Sequence, residues 1–182
     1  PDYAGEYTDE QAQAVASIAS HFGIAVNMQY MKTGSGAYSQ AVPYALRTYF
    51  GYDNVVEMKP REYYPTKEWM AIIKQELDAG RPVYYAASAE DGSGGHAFVC
   101  DGYDDQDYVH INWGWHGSSD GFFMVNHLNP PTLGIGASST GFNVNQEIVV
   151  NIKPAGGSVQ PVTYAIYSPS RLGLMCYEEV LF

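Results

Sequence analysis

The amino-acid sequence predicts an α+β fold, with helices first and a strand-rich block after them. Apolar residues recur at helical spacing in three segments before Gly80. From Val83 onward the chain turns to β-branched and aromatic runs separated by turn residues, so the elements do not alternate as in an α/β protein. A composition of 46% hydrophobic, 14% aromatic and 16% charged residues over 182 positions supports a sizeable core, and one compact domain is the natural expectation.

Each element has a local reason. Thr8 and Gln11 form a capping box for a helix over residues 8–22, whose stripe is Ala14, Val15, Ile18, Ala19 and Phe22; Gly23 is expected to end it. Residues 24–30 alternate as a strand and run into Thr33-Gly34-Ser35-Gly36-Ala37. Those small residues read as a flexible loop with free backbone donors and room for a side chain. A second helix spans about 39–50, with Pro43 tolerated in its first turns and Gly51 beyond its end. A third follows Tyr64-Pro65-Thr66, carries Trp69, Ile72, Ile73, Glu76 and Leu77, and stops at Gly80; Trp69 is expected in the core. Strands are expected at 83–88, 96–103, 108–115, 122–126 and 146–152. Residues 130–141 form an irregular Gly/Ser-rich loop, read either as plain surface or as a flap over a cleft. Ala155-Gly156-Gly157-Ser158 reads as a linker and 161–167 as a new strand. Residues 1–154 are therefore expected to make one unit, with 155–182 a linker and the start of an extension or further β domain.

Nine basic against twenty acidic residues give a net charge of -11, which argues against nucleic acid and anionic membrane surfaces as partners. No apolar run approaches the ~18 residues that a bilayer span requires.

The segment 94–115 concentrates chemistry. Two strand-like runs flank Asp104-Asp105-Gln106-Asp107, which is turn chemistry, so they pair as a hairpin. Facing residues in an antiparallel pair have a nearly constant number sum, about 208 to 211 for this turn, and His96 is predicted to face a position between Asn112 and Trp115. A histidine acting as general base needs a neighbour that fixes its tautomer and ring plane, and an amide or a packed indole does this. Gly94 and Gly95 before it allow a substrate backbone to come close. A plain core histidine is the competing reading; the Asn-Trp neighbourhood favours catalysis.

Gly95-His96-Ala97-Phe98-Val99, His110-Ile111-Asn112-Trp113-Gly114-Trp115 and Ser119-Asp120-Gly121-Phe122-Phe123 resemble the streptopain family of papain-like cysteine peptidases, including its interpain type. Gly141-Phe142-Asn143 and 149–154 extend the resemblance over about 1–154. The resemblance implies a papain-like fold, mainly its antiparallel-sheet half with helices packed on it. It implies a secreted or cell-surface endopeptidase, zymogen processing, a peptide or protein substrate, possibly a propeptide, and no cofactor. His96 would be the catalytic histidine, Trp113 the indole beside it and Gly95 a backbone contact for substrate. Gly34, Ser35 and Gly36 match the loop bordering the pocket for the residue before the scissile one, and Trp115 is a further substrate-binding candidate.

Successive strand side chains point to opposite faces, so Asn112 and Trp113 cannot both face the imidazole of a regular strand. In papain the orienting Asn and its shielding Trp lie two apart, a spacing that Trp113 and Trp115 meet. Trp113 is slightly preferred, and Asn112 stays open.

The nucleophile is the missing half. Cys100 lies four residues from His96 on one strand, roughly 13 Å away. Cys176 is followed by Glu178 and Glu179, and nearby carboxylates raise a thiol pKa. Both are expected to be inert thiols. The resemblance places the nucleophile before Pro1, on the N-terminal half of the same precursor, so the chain alone is expected to be inactive. A non-catalytic papain-like module that binds peptide, or serves as adhesin or inhibitor, is the alternative. A metal site from His96, Cys100, His110 and His116 is not expected, because the first two are too far apart to converge at about 2 Å on zinc.

Overall fold

The computed structural model describes residues 7–32, 34–131, 134 and 140–156. It contains α1 (Asp9–Ala25), a short hairpin of β1 (Gln29–Met31) and β2 (Gly34–Gly36), α2 (Ala41–Tyr49), β3 (Glu57–Pro60), a 3₁₀ turn at Arg61–Tyr63 and α3 (Thr66–Asp78). The remaining strands are β4 (Val83–Ser88), β5 (Gly95–Tyr103), β6 (Val109–Asn112), β7 (Gly121–Phe123) and β8 (Val144–Val150). Strands β3 to β8 form one antiparallel sheet in the order β3-β8-β4-β5-β6-β7. The architecture is α+β, as the segregation of helical and strand patterns predicts.

The period-2 alternation of β4 and β5 divides the core into two layers. Tyr85, Ala87, Phe98 and Cys100 point to the side covered by α3, where they meet Trp69, Ile73, Trp113 and Phe142. Ala86 and Ala97 point to the other side and pack with Val42, Ala45 and Leu46 of α2 and with Val149. Because both faces are covered, β4 and β5 read as almost continuously apolar. Trp69 is fully buried, and its indole N–H donates to the Tyr85 hydroxyl at 2.9 Å. The hydroxyl in turn donates to Gln146 Oε1 at 2.7 Å, so the Trp69 and Tyr85 polar atoms are paired.

At the far end of α3 the buried Glu76 carboxylate accepts two bonds from Arg81, at 2.8 and 2.9 Å, and one from the Asn151 N–H at 2.8 Å. Burial pushes its pKa up, but the Arg81 guanidinium and the Asn151 amide outweigh burial and hold it below the ordinary carboxylate range. This clamp ties the end of β8 to the helix.

Four expectations change. The helix at Thr8 has its capping box but runs through Gly23 to Ala25, and Ile24 belongs to it rather than to a strand. The Tyr30 hydroxyl lies over Gly23 where a Cβ would stand, and Asn27, at φ 58°, makes the left-handed exit instead. The strand expected over 24–30 shrinks to β1, and the expected flexible loop is its partner β2, with Gln29 opposite Gly36. Strand β6 stops at Asn112, because Gly114 at φ 76° turns the chain out of the sheet. Strand β3 has no counterpart in the sequence reading. The boundary at 154/155, the strand at 161–167 and Cys176 concern residues mostly outside the described ones, and so does most of the 130–141 flap.

Candidate active site

His96 is the second residue of β5, opposite Ala87 of β4, and only 2% of its surface is exposed. The observed β5–β6 pairs, Val99 with Asn112 and Cys100 with Ile111, sum to 211; a bulge between Cys100 and Gly102 then shifts the register. Continued past the end of β6, that sum puts Trp115 opposite His96. The Trp115 ring stacks on the imidazole there, with centroids 4.9 Å apart and planes at 24°. Trp115, a substrate-binding candidate from the sequence, thus stacks over the histidine ring. Phe142, at 5.4 Å, and Phe98, at 6.1 Å, complete the apolar surround.

What orients the imidazole is neither candidate side chain. His96 Nε2 lies 2.8 Å from the backbone carbonyl oxygen of Trp113. A carbonyl only accepts, so Nε2 carries the proton and Nδ1 carries the lone pair. Among the described residues Nδ1 is buried and has no hydrogen-bond partner. The Trp113 indole is fully buried in the core, 6.4 Å from the imidazole, and its N–H donates to the Ser119 carbonyl at 3.1 Å.

Asn112 is exposed and points away from the imidazole, which corrects the register that would have set its amide on His96. It still acts on the same peptide. Its Oδ1 accepts from the Gly114 N–H at 2.9 Å, an Asx turn, and that N–H belongs to the peptide unit whose carbonyl meets His96. Asp120 Oδ1 accepts the preceding amide, Trp113 N–H, also at 2.9 Å. The carbonyl is therefore held from both sides by side chains that never touch the histidine. Sequence reasoning expected a side-chain partner, whereas a backbone acceptor carries no residue signature.

Burial pushes the His96 pKa below its ordinary value, and the hydrogen bond to the Trp113 carbonyl offsets this only in part. Its neutral form is favoured at pH 7. The buried Cys100 behaves oppositely: desolvation pushes its thiol up to about 12, so it is no thiolate at neutral pH.

His96 and Gly95 open onto a cavity of about 240 Å³. Its other walls are Ala37 to Gln40, Ala86 to Ser88, Asn145 and Glu147. The predicted pocket residues Gly34, Ser35 and Gly36 are not among them. They form β2, one turn of chain too early, and Ser35 faces a separate groove against α1. Gly95 itself lies close to β4: a Cβ there would sit 3.1 Å from the Ala87 carbonyl oxygen. Among the described residues no group of three or more His, Cys, Asp or Glu side chains could hold a metal ion.

Residues 1–123 match the model of the Peptidase C10 family. The chain belongs to this peptidase family. It is 43% identical over 162 residues to the thiol protease/hemagglutinin PrtT of Porphyromonas gingivalis, across 87% of this chain and 18% of that protein. It is 42% identical over 154 residues to streptopain of Streptococcus pyogenes, across 85% of this chain and 38% of streptopain. Active interpain A of Prevotella intermedia superposes with a TM-score of 0.71 at 39% identity, over 81% of this chain and 59% of that one. A prointerpain A fragment gives 0.66 at 40% identity, over 84% and 46%. The fold of this C10 chain is the papain-like one, and the chain spans less than two thirds of each of these relatives.

Proposed function

We propose that this chain supplies the histidine half of a cysteine endopeptidase, with His96 as general base and acid. One observation supports it most: His96 is locked by the Trp113 carbonyl as the Nε2–H tautomer, and its Nδ1 is left buried without a partner among the described residues. A buried ring nitrogen with no hydrogen bond is costly unless a group outside the described set completes it. Membership of the Peptidase C10 family, the name thiol protease carried by PrtT and the name cysteine protease carried by interpain A support a cysteine as that group.

The chemistry balances on those atoms. A cysteine thiol on an upstream segment of the same precursor gives its proton to Nδ1, and the thiolate attacks the peptide carbonyl carbon. The tetrahedral intermediate collapses, the C–N bond breaks, and Nδ1–H protonates the departing amine. Water, deprotonated by Nδ1, then attacks the thioester, releases the acid and regenerates the thiol. The lowered pKa keeps the imidazole an available base until a thiolate beside it favours the cation. Gly95 lines the cavity beside His96, and peptides and proteins are the substrates.

Reconstitution with the upstream segment and a thiol-reactive peptide electrophile tests the reading. The upstream cysteine should label rapidly, and His96→Ala should slow labelling by roughly 10²-fold or more. Equal labelling in the two proteins would remove His96 from the mechanism. A non-cysteine residue at the upstream position would favour the peptide-binding module instead.

A further inference from the structure

We propose that Glu147 makes the cavity beside His96 select a lysine or arginine side chain of the substrate. The inference rests on the peptidase reading above and adds a side-chain preference to it.

Along β8 the buried Gln146 and Ile148 face the α3 layer, so Glu147 between them is turned to the opposite side. Its cross-strand partner there is Ala86, and Tyr84 is the diagonal neighbour on the same face. The Tyr84 hydroxyl donates to Ser39 Oγ at 3.1 Å, which places Ser39 and the Glu147 strand in one neighbourhood. Burial raises the Tyr84 pKa, the Ser39 bond lowers it, and the Glu147 charge raises it further, so the carboxylate is felt there. Glu147 and Ser39 both line the cavity that His96 and Gly95 open onto.

The backbone aims the strand at this cavity. The β4–β8 register shifts between Ala86 and Ser88, and Asn145 opposite the shift is held at φ 50°. A bulge of this kind re-aims side chains beside a site, and asparagine is among the few residues that tolerate such a φ.

The chemical character of the walls then decides the ligand class. Ala37, Ala86, Ala87 and Gly95 are small, which leaves a slot with apolar sides. Ser39 and Ser88 are polar but uncharged. Among the described residues of the lining Glu147 is the one carboxylate, and His96 is held toward its neutral form. A long aliphatic stem with a cationic head matches that order, because it packs its methylenes on the alanines and brings its charge to the carboxylate. The chain's net charge of -11 favours the approach of basic peptides in the same direction.

The test uses the complete peptidase with its upstream segment and fluorogenic peptides varied one residue at a time near the scissile bond. At one position lysine or arginine should exceed norleucine in kcat/KM by roughly 10-fold to 100-fold, the range of a charge-assisted hydrogen bond. Arginine should likewise exceed citrulline, its uncharged counterpart, in the unmodified enzyme. Glu147→Gln should bring both ratios near one while norleucine turnover stays within about twofold, and Glu147→Lys should favour a glutamate peptide. Equal turnover of arginine and citrulline peptides, or ratios unmoved by Glu147→Gln, would overturn the assignment while leaving the peptidase intact. Loss of all turnover and all cysteine labelling in the unmodified enzyme would instead bring down the peptidase reading, and this inference with it.

Discussion

The two ends of β5 set two buried titratable groups in different surroundings. Both His96 and Cys100 are buried on the same face, four residues apart, and desolvation disfavours the charged form of each. At the Gly95 end the strand borders a cavity, and the imidazole has one nitrogen bonded and one unpartnered among the described residues. At the Tyr103 end the chain is closed by α3: Tyr103 donates to Asp78 at 2.7 Å, and Lys74 pairs with Asp107 while lying over the Tyr103 ring. Burial alone therefore does not make a site.

The hardest break comes from Phe98, midway between the two. It stacks on Tyr85 at 5.1 Å and lies 4.7 Å from Trp113 and 6.1 Å from His96. Phe98→Ala should cost roughly 3–5 kcal/mol in chemical denaturation and loosen both ends together. If the variant lost stability at the Cys100 end alone, as read by hydrogen exchange along β5, the two ends would not share one core.

A smaller change isolates the His96 end. Asn112→Ala removes the acceptor for the Gly114 N–H without touching the imidazole. It should lower kcat of the reconstituted enzyme about fivefold with little change in KM, since one hydrogen bond of about 1 kcal/mol positions the carbonyl. Asn112→Asp keeps the acceptor and should restore most of the rate. An Asn112→Ala enzyme with unchanged kcat would show that Asp120 and the Trp113 packing hold the peptide unaided.

Much of this contrast was legible in the residues. The hairpin sum placed His96 opposite the Asn112–Trp115 stretch, and the pairing of Trp115 with His96 falls at the edge of that range. The helices, the α+β order and the buried Trp69 followed from periodicity and caps. The orienting carbonyl did not, because a backbone atom is the same at every residue. The cavity wall escaped for a different reason: Ser39, Ser88 and Glu147 come from three separate segments, joined only by strand pairing. Gly34 to Gly36 misled because small residues mark a tight hairpin as readily as a binding loop. The two-residue spacing of Trp113 and Trp115 matches that of an orienting and a shielding residue, and the stack of Trp115 on the ring nineteen positions earlier agrees with the second place in that pair.

Cys100 sharpens the comparison from the closed end. Cys100→Ala removes one sulfur from a packed core and should cost about 1 kcal/mol, with kcat/KM of the reconstituted enzyme unchanged. In native protein the thiol, pushed up to about 12, should resist alkylation at pH 7 and react once the chain is unfolded. Rapid labelling of native Cys100 would mean that the closed end opens on its own.

The finest test lies in the proton itself. Because burial holds the folded pKa of His96 below its unfolded value of about 6.5, the neutral ring contributes stability that is present above that pH. As pH falls through the folded pKa, the unfolded chain takes up a proton that the folded chain resists, and this contribution is lost. Trp115→Ala removes the ring stacked 4.9 Å from the imidazole and admits water to one face. The His96 titration, followed by NMR, should then move up toward the ordinary histidine value, and the drop in stability below pH 6.5 should become shallower. An unmoved titration would assign the desolvation to Phe98 and Phe142, which stay in place, and would leave Trp115 a steric wall only.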